Sequence, residues 1–505
     1  MREFIKKHNN FRLFLWLFIP VIVFTLVLVV TDGDEMYNFQ SVSKMVNGNI
    51  IYKDFNVIIT PLFFWIGALL LKIFGNYILV FRVYSIIMHL GIYYALYYLF
   101  KRFKVSNRFC TSGVLLYLMI SISLIYNGAN YNALSLLFYI LGFMIVLKKP
   151  SIKNSILIGF FAYIIFLTKQ NVGMYYVIAV VISQIYNYKK ESIKYLLVEF
   201  ATGALLTGAT VLVMLYQGNF WDMINYTFLN ISNFAGNNLI IQKNRFYIII
   251  ITGMVVACIK ILFFVYAWKN KNKEYITLSI FSTMLLFTAL PIINMYHVEI
   301  AVCLACVEFI IALDKIVSHK MSDDEYSEII KKHKLLRIET LIYMLDGVFY
   351  FSAISIILMQ ISTYKDPSIM LKENVYKYSL VEDTVLDSIN HVTSLIMAEK
   401  EKGNQVVIIS SSAPVYMTYL KINNGDFDLP FNGNLGKEGV DGLINKMKQA
   451  DNLVVLIDKG KPFWQIPQEL LDFIMKHYRK VDDIDDFYIY EKLEVPIEII
   501  DGNSQ

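Results

Sequence analysis

The sequence predicts a polytopic α-helical membrane protein with about eleven transmembrane helices and a small extracytoplasmic α/β domain at its C-terminal end. Three observations carry that prediction. Only 17% of the 505 residues are charged, against about 25% in soluble domains, while 56% are hydrophobic and the mean hydropathy is +0.51. The apolar residues gather into runs of membrane-crossing length, which need roughly 20 residues each. The basic residues gather in the connections between those runs, on alternate sides. The net charge of +5 therefore matters less than its placement, and nothing in the sequence points to nucleic acid.

The first run, Phe14 to Val30, follows a basic start of Arg2, Lys6, Lys7 and Arg12. A signal peptide would show a small-residue cleavage site next, and none follows, so the run reads as an uncleaved first span with the N-terminus in the cytoplasm. Spans are expected at 13–31, 78–100, 109–126, 132–147, 155–168, 172–187, 195–217, 246–267, 275–293, 298–313 and 338–361. Basic connections fall at Lys101–Arg108, Lys148–Lys153, Lys189–Lys194, Lys269–Lys273 and Lys315–Arg337, with Lys-poor connections between them. The positive-inside rule places the basic set in the cytoplasm and the C-terminus outside. One further run, Val57 to Phe74, is long enough to cross, yet a crossing would invert every later loop. It is expected to lie at the outer interface as a juxtamembrane or re-entrant segment, so that 32–77 forms one large outer loop.

Charges return beyond Thr363 and the periodicity becomes that of a soluble domain. "QVVIIS" (405–410), "NLVVLID" (452–458) and "FYIYEKL" (487–493) read as buried strands, with helices near 380–400, 437–449 and 465–478. The glycines of "GNLGKEG" follow no strand, so they read as a turn capping the helix from Lys437 rather than a phosphate-cradling loop. The chain thus divides at 1–362, the membrane domain, and 363–505. The four cysteines, Cys110, Cys258, Cys303 and Cys306, all lie in apolar segments; the CxxC of the last two has no second pair and reads as packing. Lys260 and Glu308 fall at similar depth inside spans, where charges pair, and are expected to form a structural ion pair.

Chemistry is concentrated in the first outer loop, which opens "TDGDEMYNF" and packs Asp32, Asp34 and Glu35 into four positions. The loop continues with Tyr37, then Gly48 and Tyr52 before Asp54-Phe55, then Pro61-Leu62 and Trp65, and leaves through "FGNYILVFRVYS", Phe74 to Ser85. In this order the features resemble the C-type membrane glycosyltransferases, a group that includes the protein O-mannosyltransferases and the bacterial aminoarabinose transferases. The matching motifs are an Asp-Glu pair after the first span, a Tyr two residues on, a G-x-x-Y-x-D/E-F step, P-L-x-x-W and F-G-x-x-x-x-x-R-x-x-S. The resemblance is strongest over about the first hundred residues, and the topology extends it through the membrane part.

The resemblance implies transfer of a sugar from a polyprenyl-phosphate donor to an acceptor hydroxyl at the outer face. A hydroxyl is a weak nucleophile and needs a positioned carboxylate to take its proton. A phosphate leaves as a stable anion and needs cations or hydrogen-bond donors more than an acid. By that carry-over Asp34 is the general base of an inverting displacement, with Glu35 and Asp32 as the fallback acids. The phosphate or sugar of the donor falls to Arg82, Lys169, Gln170, His297, Lys53 and Tyr37, with Lys243 and Arg245 completing the outer basic set. Two departures qualify the match. Ile59 and Thr60 precede a single Pro61 where the aminoarabinose transferases carry a Lys before paired prolines, leaving Lys53 as the nearest replacement. The loop after the third span reads "YNGANYN", so Asn130 and Asn132 stand where relatives often have a second acid.

No cofactor is required by this chemistry. A divalent cation remains an open addition, weakened by the missing carboxylates, and no metal ligand set is assigned. The expected partners are the polyprenyl-phosphate sugar lipid, membrane lipids, and an acceptor that is a glycan, a glycolipid or a protein. The C-terminal domain is expected to bind the acceptor or shield the site. The alternatives are a transporter or flippase for a lipid-linked glycan, which would show inverted repeats and broken midplane helices, and a non-catalytic envelope-assembly protein.

Overall fold

A computed structural model of the chain describes residues 21–22, 25–26, 30, 33–126, 128–231, 246–290, 293, 295–322, 340–341, 344–352, 354–355, 358–359, 362, 368–371, 374–460 and 465–493. Most of the expected first span, Asp32, Lys243, Arg245, most of the last basic loop and part of the span at 338–361 lie outside these residues. The chain divides into two compact units, Met1–Leu28 with Arg82–Thr210 and Asn238–Tyr364, and Val29–Phe81 with Val211–Asn237 and Lys365–Gln505.

The second unit begins with α1 (Asp34–Val46) and α2 (Leu62–Phe74) and includes the opening of α3 (Ile78–Arg102). The long apolar run Val57 to Phe74 thus yields a helix of 13 residues. At 1.5 Å per residue it is about 20 Å long, short of a hydrocarbon core of about 30 Å. Pro61 sets its start, and α2 packs on α1, where a Cβ on Gly67 would meet Val42 Cγ2 at 3.0 Å. In the same unit a four-stranded sheet is ordered β3 (Gln405–Ile409), β4 (Leu453–Asp458), β6 (Phe487–Lys492), β5 (Tyr478–Ile484). β3 and β4 are parallel, the other pairs antiparallel, and a bulge interrupts β5 between Lys480 and Asp482. A small antiparallel pair, β1 (Ser368–Met370) with β2 (Leu380–Glu382), precedes it.

Three of the six strands match the apolar runs read from the sequence; β5, "YRKVDDI", does not announce itself because it is an exposed, charged edge strand. The expected helices appear as α15 (Asp383–Glu401), α17 (Gly439–Gln449) and α18 (Gln468–His477), and α16 (Ala413–Leu420) is added to them. Val407, Ile409, Val455, Leu470 and Ile474 centre the core, with Tyr37 of α1 packed against it.

The first unit is helical: most of α3, then α4 (Asn107–Ile120), α5 (Ile122–Tyr126), α6 (Tyr131–Val146), α7 (Ile152–Thr168), α8 (Gln170–Tyr188), α9 (Ser192–Gln217, to Thr210), α11 (Phe246–Lys269), α12 (Lys273–Phe287), α13 (Met295–Ala301) and α14 (Cys303–Ser322). The short α10 (Phe220–Ile224) belongs to the second unit. In the first unit Tyr139, Tyr176 and Phe281 form an aromatic centre, with rings 5.3–5.8 Å apart and the Tyr139 hydroxyl donating to the Phe281 carbonyl at 2.8 Å.

Large apolar side chains stand bare on its helices: Leu197, Phe200 and Leu205 on α9, Ile251, Met254 and Leu262 on α11. Such faces are stable against lipid and not against water. Among the described residues, Ile78–Arg102, Gln170–Gln217 and Ile250–Lys269 are long and apolar enough to cross a membrane. The protein is a polytopic helical membrane protein.

The expected span 109–126 is broken at Ser121, between α4 and α5. The Ser121 hydroxyl donates to the Tyr117 carbonyl at 2.7 Å, and the Leu124 N–H donates to the buried Glu299 carboxylate at 3.0 Å. A helix break within an apolar segment survives because its backbone groups are satisfied by protein. Lys260 and Glu308 pair as expected, at 3.0 and 3.2 Å, and Lys260 also donates to the Ser279 carbonyl at 3.2 Å. The cysteines are all free thiols.

Candidate active site

In the second unit the acidic motif begins α1. Gly33, with φ 129° and ψ −170°, is the residue before the helix and adopts a conformation essentially reserved to glycine. Asp34 is the first helical residue and exposed; Glu35 follows and is half-buried. Both complement the positive end of the helix dipole. One turn on, the Tyr37 hydroxyl donates to Asn434 Oδ1 at 3.2 Å. Burial pushes the Tyr37 phenol above its ordinary range; the Asn434 bond opposes the shift and the charge of Asp34 adds to it, so Tyr37 stays a neutral hydroxyl.

The Gly48-to-Phe55 step builds a turn. Tyr52, at φ 69°, donates from its backbone N–H to the Phe55 carbonyl (2.9 Å) and from its hydroxyl to the Ile59 carbonyl (2.6 Å). Asp54 accepts the Ile50 N–H at 2.6 Å. These residues shape the loop, and Lys53 is exposed at its tip. Lys44, on the last turn of α1, is buried and ion-paired with the equally buried Asp428, its ammonium 5.3 Å from the centre of the Phe55 ring. Burial holds the Lys44 ammonium below its ordinary range, against the pull of Asp428.

The first unit holds the other cationic candidates. Arg82 is 1% exposed near the start of α3, and Ser85 and His89 follow on the same face at one and two turns, both buried. The His89 ring bonds to the Gly128 backbone. Lys169 is the single residue joining α7 to α8, and it is 7% exposed rather than snorkelling outward. The turn is so tight that a Cβ on Gly173 would sit 2.3 Å from the Phe166 Cα. The Lys169 ammonium donates to Asn132 Oδ1 at 2.5 Å and lies 5.6 Å from the centre of the Tyr131 ring. Asn130 caps α6 by accepting the Asn132 N–H at 2.8 Å. Gln170 opens α8, and His297 is half-buried on α13, two residues before Glu299.

Within the second unit, then, the structure gathers Asp34, Glu35 and Tyr37 on one helix, with Lys53 on the loop beyond. Within the first unit it joins Lys169 to Asn132 and buries Arg82. Lys44, His89 and Glu299 were not singled out from the sequence, and Ser85 entered only as the last residue of a motif. His89 could have been found by its seven-residue spacing from Arg82, and Glu299 by its closeness to His297. Nothing local marks Lys44. Among the described residues, no group of three or more His, Cys, Asp or Glu side chains could hold a metal ion.

The fold of the chain is similar to that of solved C-type membrane glycosyltransferases. ArnT, the aminoarabinose transferase of Cupriavidus metallidurans, is similar in its apo state at TM-score 0.57 and 10% identity, covering 94% of this chain and 97% of its own. The same protein bound to undecaprenyl phosphate gives 0.56 with the same identity and coverage. The Archaeoglobus fulgidus oligosaccharyltransferase in complex with Zn and sulfate gives 0.50 at 12% identity, over 88% of this chain and 68% of that one. No family model matches the chain, and no curated protein matches it by sequence.

Proposed function

We propose that the protein is a glycosyltransferase that moves a sugar from a polyprenyl-phosphate donor to an acceptor hydroxyl at the outer face of the cytoplasmic membrane, with inversion. The observation that carries the reading is the placement of Asp34, exposed at the first turn of a helix that opens the loop after the expected first span, in a chain with this fold. The similar ArnT structure bound to undecaprenyl phosphate supports a polyprenyl-phosphate donor.

Asp34 takes the proton from the acceptor hydroxyl as its oxygen bonds the anomeric carbon. The bond from that carbon to the phosphate oxygen breaks, and the electron pair leaves with the polyprenyl phosphate. Arg82, Lys169, Gln170 and His297 are assigned to stabilising the phosphate, with Lys53 as a further cation. Tyr37 donates its neutral hydroxyl to Asn434, and its part in donor binding follows from its place one turn after the base. Glu35 is the reserve base. The N-terminus lies in the cytoplasm, eleven spans cross, and residues 363–505 form an extracytoplasmic domain that receives or shields the acceptor.

The test is release of labelled sugar from a panel of polyprenyl-phosphate sugars by membranes containing wild type or Asp34→Asn at equal abundance. Wild type should consume one donor, and Asp34→Asn should lose about 10²–10⁴-fold in turnover, the usual contribution of a general base. Equal turnover by the two would remove Asp34 from the role. No consumption of any donor by wild type would favour the transporter or assembly readings.

A further inference from the structure

The helix that carries Asp34 is fastened by residues nearly four hundred positions away. Tyr37 donates to Asn434 at 3.2 Å, and Lys44 pairs with Asp428, their side chains 6% and 3% exposed. The two fastening points are seven residues apart on α1, two turns of helix, and so share one face. Contacts at both ends of that face fix the tilt of α1 and its rotation about its own axis. Asp34 sits one turn before the first of them.

The surrounding bonds run the same way. Asn56 Nδ2 donates to the Asn434 carbonyl at 3.2 Å, and Asn423 Nδ2 donates to Asn49 Oδ1 at 2.9 Å and to the Asp54 carbonyl at 3.0 Å. Asn230 Nδ2 holds the Gly433 carbonyl at 2.7 Å, bracing the segment from behind. On its other side α1 is packed by α2, through Val42 against Gly67, and by Phe39 on Phe81 with rings 5.6 Å apart. The pair itself is the telling contact. A buried Lys–Asp bridge is a weak source of stability, because desolvation offsets most of the attraction; what such a pair does well is fix a register. The second oxygen of Asp428, Oδ1, has no hydrogen-bond partner among the described residues, so Lys44 is what makes a charge tolerable at that position.

We infer that the segment 423–437 of the C-terminal domain is a clamp that positions the Asp34 helix, with Lys44–Asp428 and Tyr37–Asn434 as its two fastenings and Lys44 and Asp428 as positioning residues for the transfer reaction. The inference rests on Asp34 being the base. It gives the C-terminal domain a task beyond receiving the acceptor: without its clamp the carboxylate is present but misaimed.

The test uses the full-length chain in detergent or nanodiscs, with Asp428→Asn, the reversed pair Lys44→Asp/Asp428→Lys, and Lys402→Met as a control. Lys402→Met removes an exposed ammonium from its bridge to Glu399, in the same domain and away from α1 in the chain. Two quantities are read: hydrogen exchange of the amides in 34–46, and kcat and KM for the donor that wild type consumes. Asp428→Asn should speed exchange across α1 at least about tenfold. It should lower kcat by about 10–10²-fold with donor KM within about threefold, as expected when a base is held out of line. The reversed pair should recover both, and Lys402→Met should change neither.

Unchanged α1 exchange in Asp428→Asn overturns the inference, as does a kcat loss that the reversed pair leaves in place. If Asp428→Asn does not fold, the reversed pair decides alone: recovery supports the clamp, failure to recover removes it. If wild type turns over no donor, the functional reading fails while the exchange measurements still judge the fastening.

Discussion

Gly33→Ala isolates the backbone that aims Asp34. At φ 129° and ψ −170° Gly33 occupies a region essentially closed to L-residues, and forcing alanine there costs on the order of 1–3 kcal/mol. A Cβ at this position meets nothing within 4 Å, so no clash adds to the torsional cost. Gly403 is the matched control, with φ +86° and equally open surroundings, in the same unit and far along the chain from α1. For a folding unit of 150–250 residues each kcal/mol moves the melting temperature by about 2–4 °C, so both variants should melt a few degrees low. Their activities should part. The cheapest relief for the substituted alanine is to rotate its φ, which swings the first turn of α1, and a displacement near 1 Å at a reacting group costs up to about 10²-fold. Sugar release by Gly33→Ala should fall at least about tenfold while Gly403→Ala keeps wild-type turnover. A Gly33→Ala protein that melts low and turns over normally would refute this expectation, because the strain would then have relaxed without moving Asp34.

Two further expectations follow from the first unit. Lys260→Met leaves the fully buried Glu308 carboxylate without its cation and should destabilise the bundle by about 3–5 kcal/mol in thermal unfolding in detergent, while Lys260→Met/Glu308→Leu should recover most of the loss. Asn132→Asp sets a carboxylate against the Lys169 ammonium and should raise donor KM on the order of tenfold, the equivalent of about 1.4 kcal/mol, with kcat retained.

What the sequence made legible follows from how local each signal is. β3 and β4 are apolar runs buried on both sheet faces, and such runs are read directly; β6 is read from its opening FYIY. β5 is not, since its side chains from Arg479 to Asp483 face solvent along an edge and carry no period. The Lys260–Glu308 pair was legible because two charges at similar depth in lipid have few other partners. The Lys44–Asp428 pair was not: each residue looks like an ordinary surface charge, and the buried surroundings come from elements 384 residues apart. The break at Ser121 was hidden for a similar reason. Its flanks are apolar enough to read as one span, and the carboxylate that satisfies it arrives from α13. Among the candidate residues, the acidic cluster and Lys169 stood out as charges beside apolar runs. His89, two turns after Arg82, did not, since it sits inside a span that reads as one apolar helix.

The chemistry also explains why asparagine is acceptable where relatives often place a second acid. A sugar phosphate needs one proton removed, at the attacking hydroxyl, because its leaving group departs as a stable anion. The demand at the other end is for positive charge. A carboxylate at position 132 would meet the Lys169 ammonium and cancel much of its field; the amide oxygen of Asn132 accepts the same hydrogen bond at 2.5 Å and orients the ammonium while leaving its charge in place. The tight joint between α7 and α8 keeps that ammonium buried, where a charge acts through a low dielectric and is worth far more than at the surface. A second acid would help only a reaction that holds a metal ion between carboxylates. Under the reading of a metal-free displacement, Asn132 is the residue that lets Lys169 serve the phosphate, and a turnover that requires a divalent cation in wild type would send the argument back to that residue first.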